Sequence, residues 1–572
     1  MYNEPAAPWI ALADALRSLL RLFKGNRRPT VEKPLRAELL SIERLEDRAK
    51  ALAASFTLAR DPRRNARPFF SRLHDNARVL REAYRVLADD VHRREFVPPA
   101  AEWLLDNFHL IEAEIRGIRH DLPLQYYLQL PKLASRAMAG VARVYAMALE
   151  LIRHTDGRLD RQQLVRFVAA YQTVAPLTIG ELWAWPSMLK LALIENLRRL
   201  ADETLQSRDA RLRADGYLAR IDAVGSAPLA SLPEVLETAY VVRLLHRMRE
   251  YGPLVSPVRA AVEERLTAQS MTAEDAIRRE HQNQAAGQVS VANAITSLRL
   301  CSTLDWTQYF EAVSLTEQVL QRDPAGVYGK MDFLSRDRYR QAVEELAEPA
   351  GEAQLRVALR SVESARQAAE LKSPDDRAAH VGYHLIGKGR PDLETDVAYT
   401  PRLAVRARRF MFAYATGFYL GSIGLIATAL LALSVAYVHA QGGALHAQVW
   451  IAALLLLPAS DFAVAIVQRL AAYFVPPRRL PRLDFQAGVP ESARTMVVIP
   501  TLLTSLAGVA ELLEHVEVLA LGNADPRIHF AILGDFADAR TPTRPEDEGI
   551  LDAARAGVLD LNARLGQGRS DR

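Results

Sequence analysis

Three residues near the end of the chain stand where a ligand could be held. Thr495-Met-Val-Val-Ile-Pro500 is a short apolar, β-branched run suited to a buried parallel strand. Leu506–Leu519 reads as a helix, and Ile528-His-Phe-Ala-Ile-Leu533 as a second strand ending at Gly534-Asp535. Such a βαβ unit binds ligands at the carboxyl ends of its strands. Pro500, Thr501 and Asp535 occupy those ends. Asp535 reads either as a ligand-binding carboxylate or as a loop residue that follows a strand, and pattern alone does not separate the two.

Other residues invite a chemical reading and have a plainer one. His380 and His384 are spaced to share one face of a helix. Gly382, Gly387 and Gly389 surround them and no third ligand is evident, so a structural turn is expected rather than a metal site. Trp183 and Trp185 could stack on a sugar ring, but large aromatics in helical arrays belong to the core. Asp106, Glu112, Glu114 and Asp121 read as helix-surface or inter-helix partners.

The element that orders the chain lies just before the βαβ unit. Phe410–Val438 contains no Asp, Glu, Lys or Arg and exceeds the roughly 20 apolar residues a spanning helix needs. A polar turn, His439–Gln448, leads to a second span, Val449–Val475, interrupted by Pro458, Asp461, Gln468 and Arg469. An Asp costs about 2.5–3.5 kcal/mol at a helix centre, so Asp461 is expected to face protein or an interface. Arg402, Arg406, Arg408 and Arg409 precede the pair; Arg478, Arg479 and Arg482 follow it. Positive charge stays cytoplasmic. The pair therefore reads as an in–out–in hairpin with both flanking parts in the cytoplasm. Gly417, Gly421 and Gly424 form a small-residue face expected to contact the second span or another helix of a longer protein.

Before the hairpin, residues 31–400 read as one irregular, mostly helical region without a fixed repeat. Residues 1–30 carry an amphipathic helix that could lie on the membrane or pack on its neighbours. Residues 476–494 form a proline-rich basic linker expected to hug the membrane, and 495–572 the α/β part. The composition suits several domains: 572 residues, 49% hydrophobic. Lys+Arg 72 against Asp+Glu 68 is too balanced for a nucleic-acid binder. One cysteine, Cys301, excludes an internal disulfide framework. Two strands make no stable open sheet, and no Asp-x-Asp follows the hairpin. The expectation is a chain cut inside a domain of a longer protein.

Several stretches carry a resemblance to bacterial cyclic β-1,2-glucan synthases, in their N-terminal region. They are Trp103-Leu-Leu-Asp-Asn-Phe-His109, Gln288–Arg299, Asp323-Pro-Ala-Gly326, Met331–Arg340, His380–Arg390, Pro476–Phe485, Val498-Ile-Pro-Thr501 and Gly534-Asp-Phe-Ala-Asp538. The resemblance implies a large inner-membrane enzyme that uses UDP-glucose, builds a β-1,2-linked glucan and cyclises it. It also assigns the βαβ unit to the opening of a GT-A type glycosyltransferase domain, with Pro500, Thr501 and Asp535 at the uridine. The divalent metal (Mg or Mn), the acceptor base and a phosphorylase-like domain are implied for the full-length enzyme, with the catalytic groups beyond Arg572. The expected fold class is mainly α: an irregular cytoplasmic helical array, a two-helix transmembrane hairpin, then the first βαβ of a truncated GT-A type α/β domain. The partners implied are UDP-glucose, growing glucan and inner-membrane lipids, with no nucleic acid. The alternative is a non-catalytic, membrane-anchored helical adaptor, which a genuine stop codon after Arg572 would favour. A transporter is disfavoured, since two spans enclose no pathway.

Overall fold

The computed structural model describes residues 32–60, 69–134, 138–224, 229–251, 255–475, 477 and 479–565. The expected N-terminal amphipathic helix lies outside them. The chain is mainly helical and divides into two compact units, 1–318 and 319–572. The stretch read as one helical region, 31–400, is thus shared between two units.

The first unit is built on one long helix, Ile179–Val224. At 1.5 Å per residue its 46 residues extend about 70 Å. Its first half buries Trp185, Leu189, Leu193 and Leu197 completely in the larger core. Its second half places Ala210, Ala214, Tyr217 and Ile221 in a separate, smaller core. Pro186 is the eighth residue of this helix, past the first turn, so it removes the intrahelical N–H donor to the Leu182 carbonyl. The helices Phe69–His92, Arg143–Thr155 and Ala273–Thr303 pack along it. Caps fix their ends: Thr272 and Asp275 form a reciprocal capping box, and Asp156 ends Arg143–Thr155 in the left-handed region at φ 49°.

Sequence periodicity marks helices better than it marks their breaks. The apolar spacing of Trp103, Leu104, Phe108, Ile111, Ile115 and Ile118 reads as one stripe, but the chain forms two helices there, Pro99–Asp106 and Phe108–Asp121, divided at Asn107. The periodicity over 125–154 likewise covers two separate helices, Leu124–Gln129 and Arg143–Thr155.

In the second unit, Phe333–Ala350, Gln354–Leu371, Val381–Leu385 and Arg390–Asp396 enclose a third core around Tyr328, Val343, Leu346 and Val357. Two helices long and apolar enough to cross a membrane follow, Ala415–Ala440 and Leu445–Phe474. They pack on each other as a hairpin. Three small residues four apart, Ala459, Ala463 and Val467, are the buried ones in this pair. Gly417, Gly421 and Gly424 do not make the contact: a Cβ added at any of them meets nothing within 4 Å. The first span is also not continuous with its basic flank. A separate helix, Leu403–Ala413, ends at Tyr414, whose φ −112° and ψ 33° are not helical.

The chain then forms strand β1 (Thr495–Leu503), the helix Leu506–Gly522, strand β2 (Ile528–Phe536) and the helix Asp547–Leu565. β1 and β2 are parallel, with Thr501 opposite Gly534 and Leu502 opposite Asp535. Ser505 starts the crossover helix by accepting from the Gly508 N–H at 3.1 Å.

Candidate functional site

Alternation along the strands decides which residues can meet a ligand. Leu503 and Phe536, opposite one another, turn to the helices and pack with Val509, Ile550 and Ala554. Thr501 and Gly534 share that helix-covered face by the two-residue period. A Cβ on Gly534 would lie 2.7 Å from Leu503 Cδ1, so a larger residue there would make the Leu503 side chain shift. Pro500 and Asp535 point to the opposite face, with Met496, Val498, Leu502 and Leu533. That face is open: Leu502 is 62% and Leu533 64% exposed.

Both strands run three residues further than their apolar runs suggest, so Thr501 and Asp535 lie inside the last third of each strand and Pro500 just before it, rather than past the strand ends. Pro500 and Asp535 are brought onto one face; Thr501 is turned to the other. The Asp535 carboxylate is exposed, and its Oδ1 accepts from the Phe536 N–H at 2.8 Å. Its other oxygen is free to accept from a neutral N–H or O–H. A cleft of about 580 Å³ lies on the helix side, lined by Val516, Phe530, Ile532, Ala554 and Leu559 among others. It is apolar in character and none of the three site residues lines it.

The histidine pair resolves into two structural roles. His380 Nδ1 meets Asp323 Oδ2 at 2.8 Å, and Oδ1 accepts from the Val381 N–H at 2.9 Å. The same carboxylate receives the Val327 and Tyr328 N–H groups at 3.1 Å. Burial opposes ionisation of Asp323, but His380 and these backbone donors outweigh it and hold the carboxyl below its usual range. Against an ionised Asp323 the proton belongs on Nδ1, which leaves Nε2 to accept from the Tyr339 hydroxyl at 3.3 Å. Burial pushes that phenol up to about 12, so it stays a neutral donor. Gly382 makes room: a Cβ there would lie 2.5 Å from Tyr339 Oη and 2.8 Å from His380 Nε2. His384 turns away and pairs its Nε2 with the Ala378 carbonyl at 2.9 Å. In the sequence Asp323-Pro324 marks only a turn, and nothing there points to its histidine partner.

The remaining candidates are structural too. Trp185 is fully buried, and Trp183 stacks on Phe310 at 4.6 Å between centroids. Glu112 pairs with Arg81 at 2.5 Å and Glu114 with Lys190 at 2.7 Å, both between helices. Asp121 is exposed beside His120.

These contacts join the segments singled out in the sequence. Asn107 accepts from Arg299 in the first unit, linking 103–109 to 288–299. In the second unit, 323–326, 331–340 and 380–390 meet at Asp323, Tyr339 and His380. The basic linker joins them: Met331 and Leu483 form an antiparallel bridge, and the Arg482 N–H donates to Ser335 Oγ at 2.8 Å.

Among the described residues no three His, Cys, Asp or Glu side chains gather to hold a metal ion.

No family model matches the chain. Among curated proteins it is 33% identical over 508 residues to the cyclic beta-(1,2)-glucan synthase NdvB of Rhizobium meliloti (strain 1021). The similarity covers 87% of this chain and 18% of that protein, so the chain spans about a fifth of its relative's length. At that extent the likeness supports one assignment for the chain, an N-terminal region of a cyclic glucan synthase.

Proposed function

We propose that this chain is the membrane-anchoring front part of a synthase that takes glucose from UDP-glucose and builds a cyclic β-1,2-linked glucan. The observation that carries the reading is the similarity to a cyclic glucan synthase over 87% of the chain; the parallel βαβ unit is consistent with it. In this reading the βαβ unit opens a GT-A type donor domain. Asp535 accepts hydrogen bonds from the uracil N–H or ribose hydroxyls, and Pro500 flanks it on the same sheet face. Thr501 supports the strand from the helix side and could offer its backbone. The two apolar helices fix the unit to the inner membrane, with both flanking parts in the cytoplasm. Any divalent cation would be held by other residues of the full-length enzyme.

Catalysis requires charge stabilisation at the leaving diphosphate and a base for the acceptor hydroxyl. With Asp535 committed to the uridine, the two-stranded sheet leaves no carboxylate assigned to either task. Membranes holding the full-length synthase should therefore convert radiolabelled UDP-glucose into β-1,2-linked product, whereas the purified 572-residue chain should not. Incorporation by the chain alone, or a full-length product with another linkage, contradicts the reading.

A further inference from the structure

We propose that the helix Leu403–Ala413 lies in the plane of the bilayer surface and holds anionic lipid headgroups through Arg406 and Arg408. The inference rests on the membrane reading of the hairpin. The span Ala415–Ala440 does not need this helix to cross: its 26 residues extend about 39 Å against roughly 30 Å of hydrocarbon. The break at Tyr414 separates the two segments.

At about 100° per residue, the helix has three functional faces. Arg409 belongs to the protein side. It pairs with Glu394 at 2.5 and 2.8 Å and lies over the Tyr399 ring at 5.8 Å. Arg402, preceding the helix, pairs with Glu348 at 2.8 Å. The opposite side carries Leu403, Ala407, Phe410 and Met411, at the i, i+4, i+7, i+8 spacing of one stripe. Leu403 is 82%, Phe410 57% and Met411 49% exposed. Arg406 and Arg408 flank this stripe, one on each side. Both are exposed, and neither guanidinium has an ion pair or hydrogen bond among the described residues.

An apolar stripe bordered by two unpaired arginines, with no acidic residue in the helix, fits a surface that is apolar below and anionic above. An acidic peptide or nucleic acid would match the arginines and leave the stripe in water. In the bilayer interface the stripe sits about 5–10 Å below the headgroup boundary and the guanidiniums snorkel to the phosphates.

The test adds one cysteine at a time to the whole chain in phosphatidylcholine vesicles with and without phosphatidylglycerol, leaving buried Cys301 in place. Nitroxide labels go at Leu403→Cys and Phe410→Cys, with Leu425→Cys in the span and Asp392→Cys as the aqueous reference. Labels at 403 and 410 should be open to oxygen, shielded from a nickel chelate, and shallower than the label at 425. Arg406→Gln/Arg408→Gln should weaken the retention of phosphatidylglycerol by the purified chain about thirty-fold, since each of the two basic residues near an anionic surface contributes ~1 kcal/mol. A deep label at 425 with water-exposed labels at 403 and 410 overturns this proposal alone. So does retention that the double variant leaves unchanged. A water-exposed label at 425 overturns both this proposal and the hairpin reading.

Discussion

Met331 and Leu483 face each other in an antiparallel bridge although both apolar spans lie between them in the chain. The Asp332 N–H donates to the Arg482 carbonyl at 3.0 Å, and the Asp484 N–H to the Lys330 carbonyl at 2.8 Å. The segments that lead out of the hairpin and into the helical part ahead of it are therefore knitted together at one end of the pair. Asp332 does double duty there: it caps Phe333–Ala350 through the Ser335 N–H at 2.9 Å and lies 3.6 Å from Arg482.

Asp332→Ala should loosen this collar. The cap contributes about 1 kcal/mol, and the exposed pair adds up to ~1 kcal/mol. Local opening should rise about five-fold or more. Limited trypsin digestion of detergent-solubilised chain, followed at Arg479 and Arg482, should show faster cleavage by that factor. Equal rates would show that the bridge holds without the cap.

The buried carboxylate of Glu195 sets an acid limit on the first unit. Arg72 Nε reaches it at 2.6 Å, Arg199 at 2.6 Å, and the Tyr145 hydroxyl donates to it as well. Burial opposes its ionisation, but these donors prevail and lower its pKa to about 2. The folded value is below the unfolded one, so the unfolded chain binds the extra proton. The stabilisation is complete above about pH 4.5 and is lost as pH falls toward ~2. Glu195→Gln should cost on the order of 3 kcal/mol near neutral pH and flatten the acid decline. Urea titrations followed by tryptophan fluorescence at about pH 6 and about pH 3 check both points. A variant with the same acid slope would place the titration elsewhere.

Much of this architecture was legible and some was not, for physical reasons. The spans could be read because a bilayer demands long uncharged runs, and the strands because short apolar β-branched runs favour a pleated surface, although one face of the sheet is open and not buried as the run suggested. Breaks at Asn107 and Tyr414 left no mark, since neither carries proline or glycine. Pro500 suggested a strand end because it lacks a ladder donor, yet β1 has a free edge, where proline is tolerated. Which face Thr501 and Asp535 take depends on the phase of each strand's pleat against the helices, and a one-residue shift in register inverts it. The Asp323–His380 and Asn107–Arg299 contacts were invisible because the partners are far apart in sequence and each residue alone reads as a turn or a surface group.

The hairpin reading makes a topological prediction. Reporter fusions after Asp392 and after Gln486 should both report cytoplasm, and one at Gly443, in the turn between the spans, should report periplasm. A cytoplasmic Gly443 would contradict the membrane assignment.

The most direct test of the central claim is donor binding by the full-length synthase carrying Asp535→Asn and Asp535→Ala. An amide oxygen accepts hydrogen bonds less strongly than a carboxylate, and alanine accepts none. The dissociation constant for UDP-glucose, titrated calorimetrically in membranes or detergent, should rise about ten-fold with asparagine and more with alanine, in line with ~1.5–3 kcal/mol for a hydrogen bond to a charged group. The same constant in wild type and both variants would mean that Asp535 is an ordinary strand residue and that the uridine lies elsewhere.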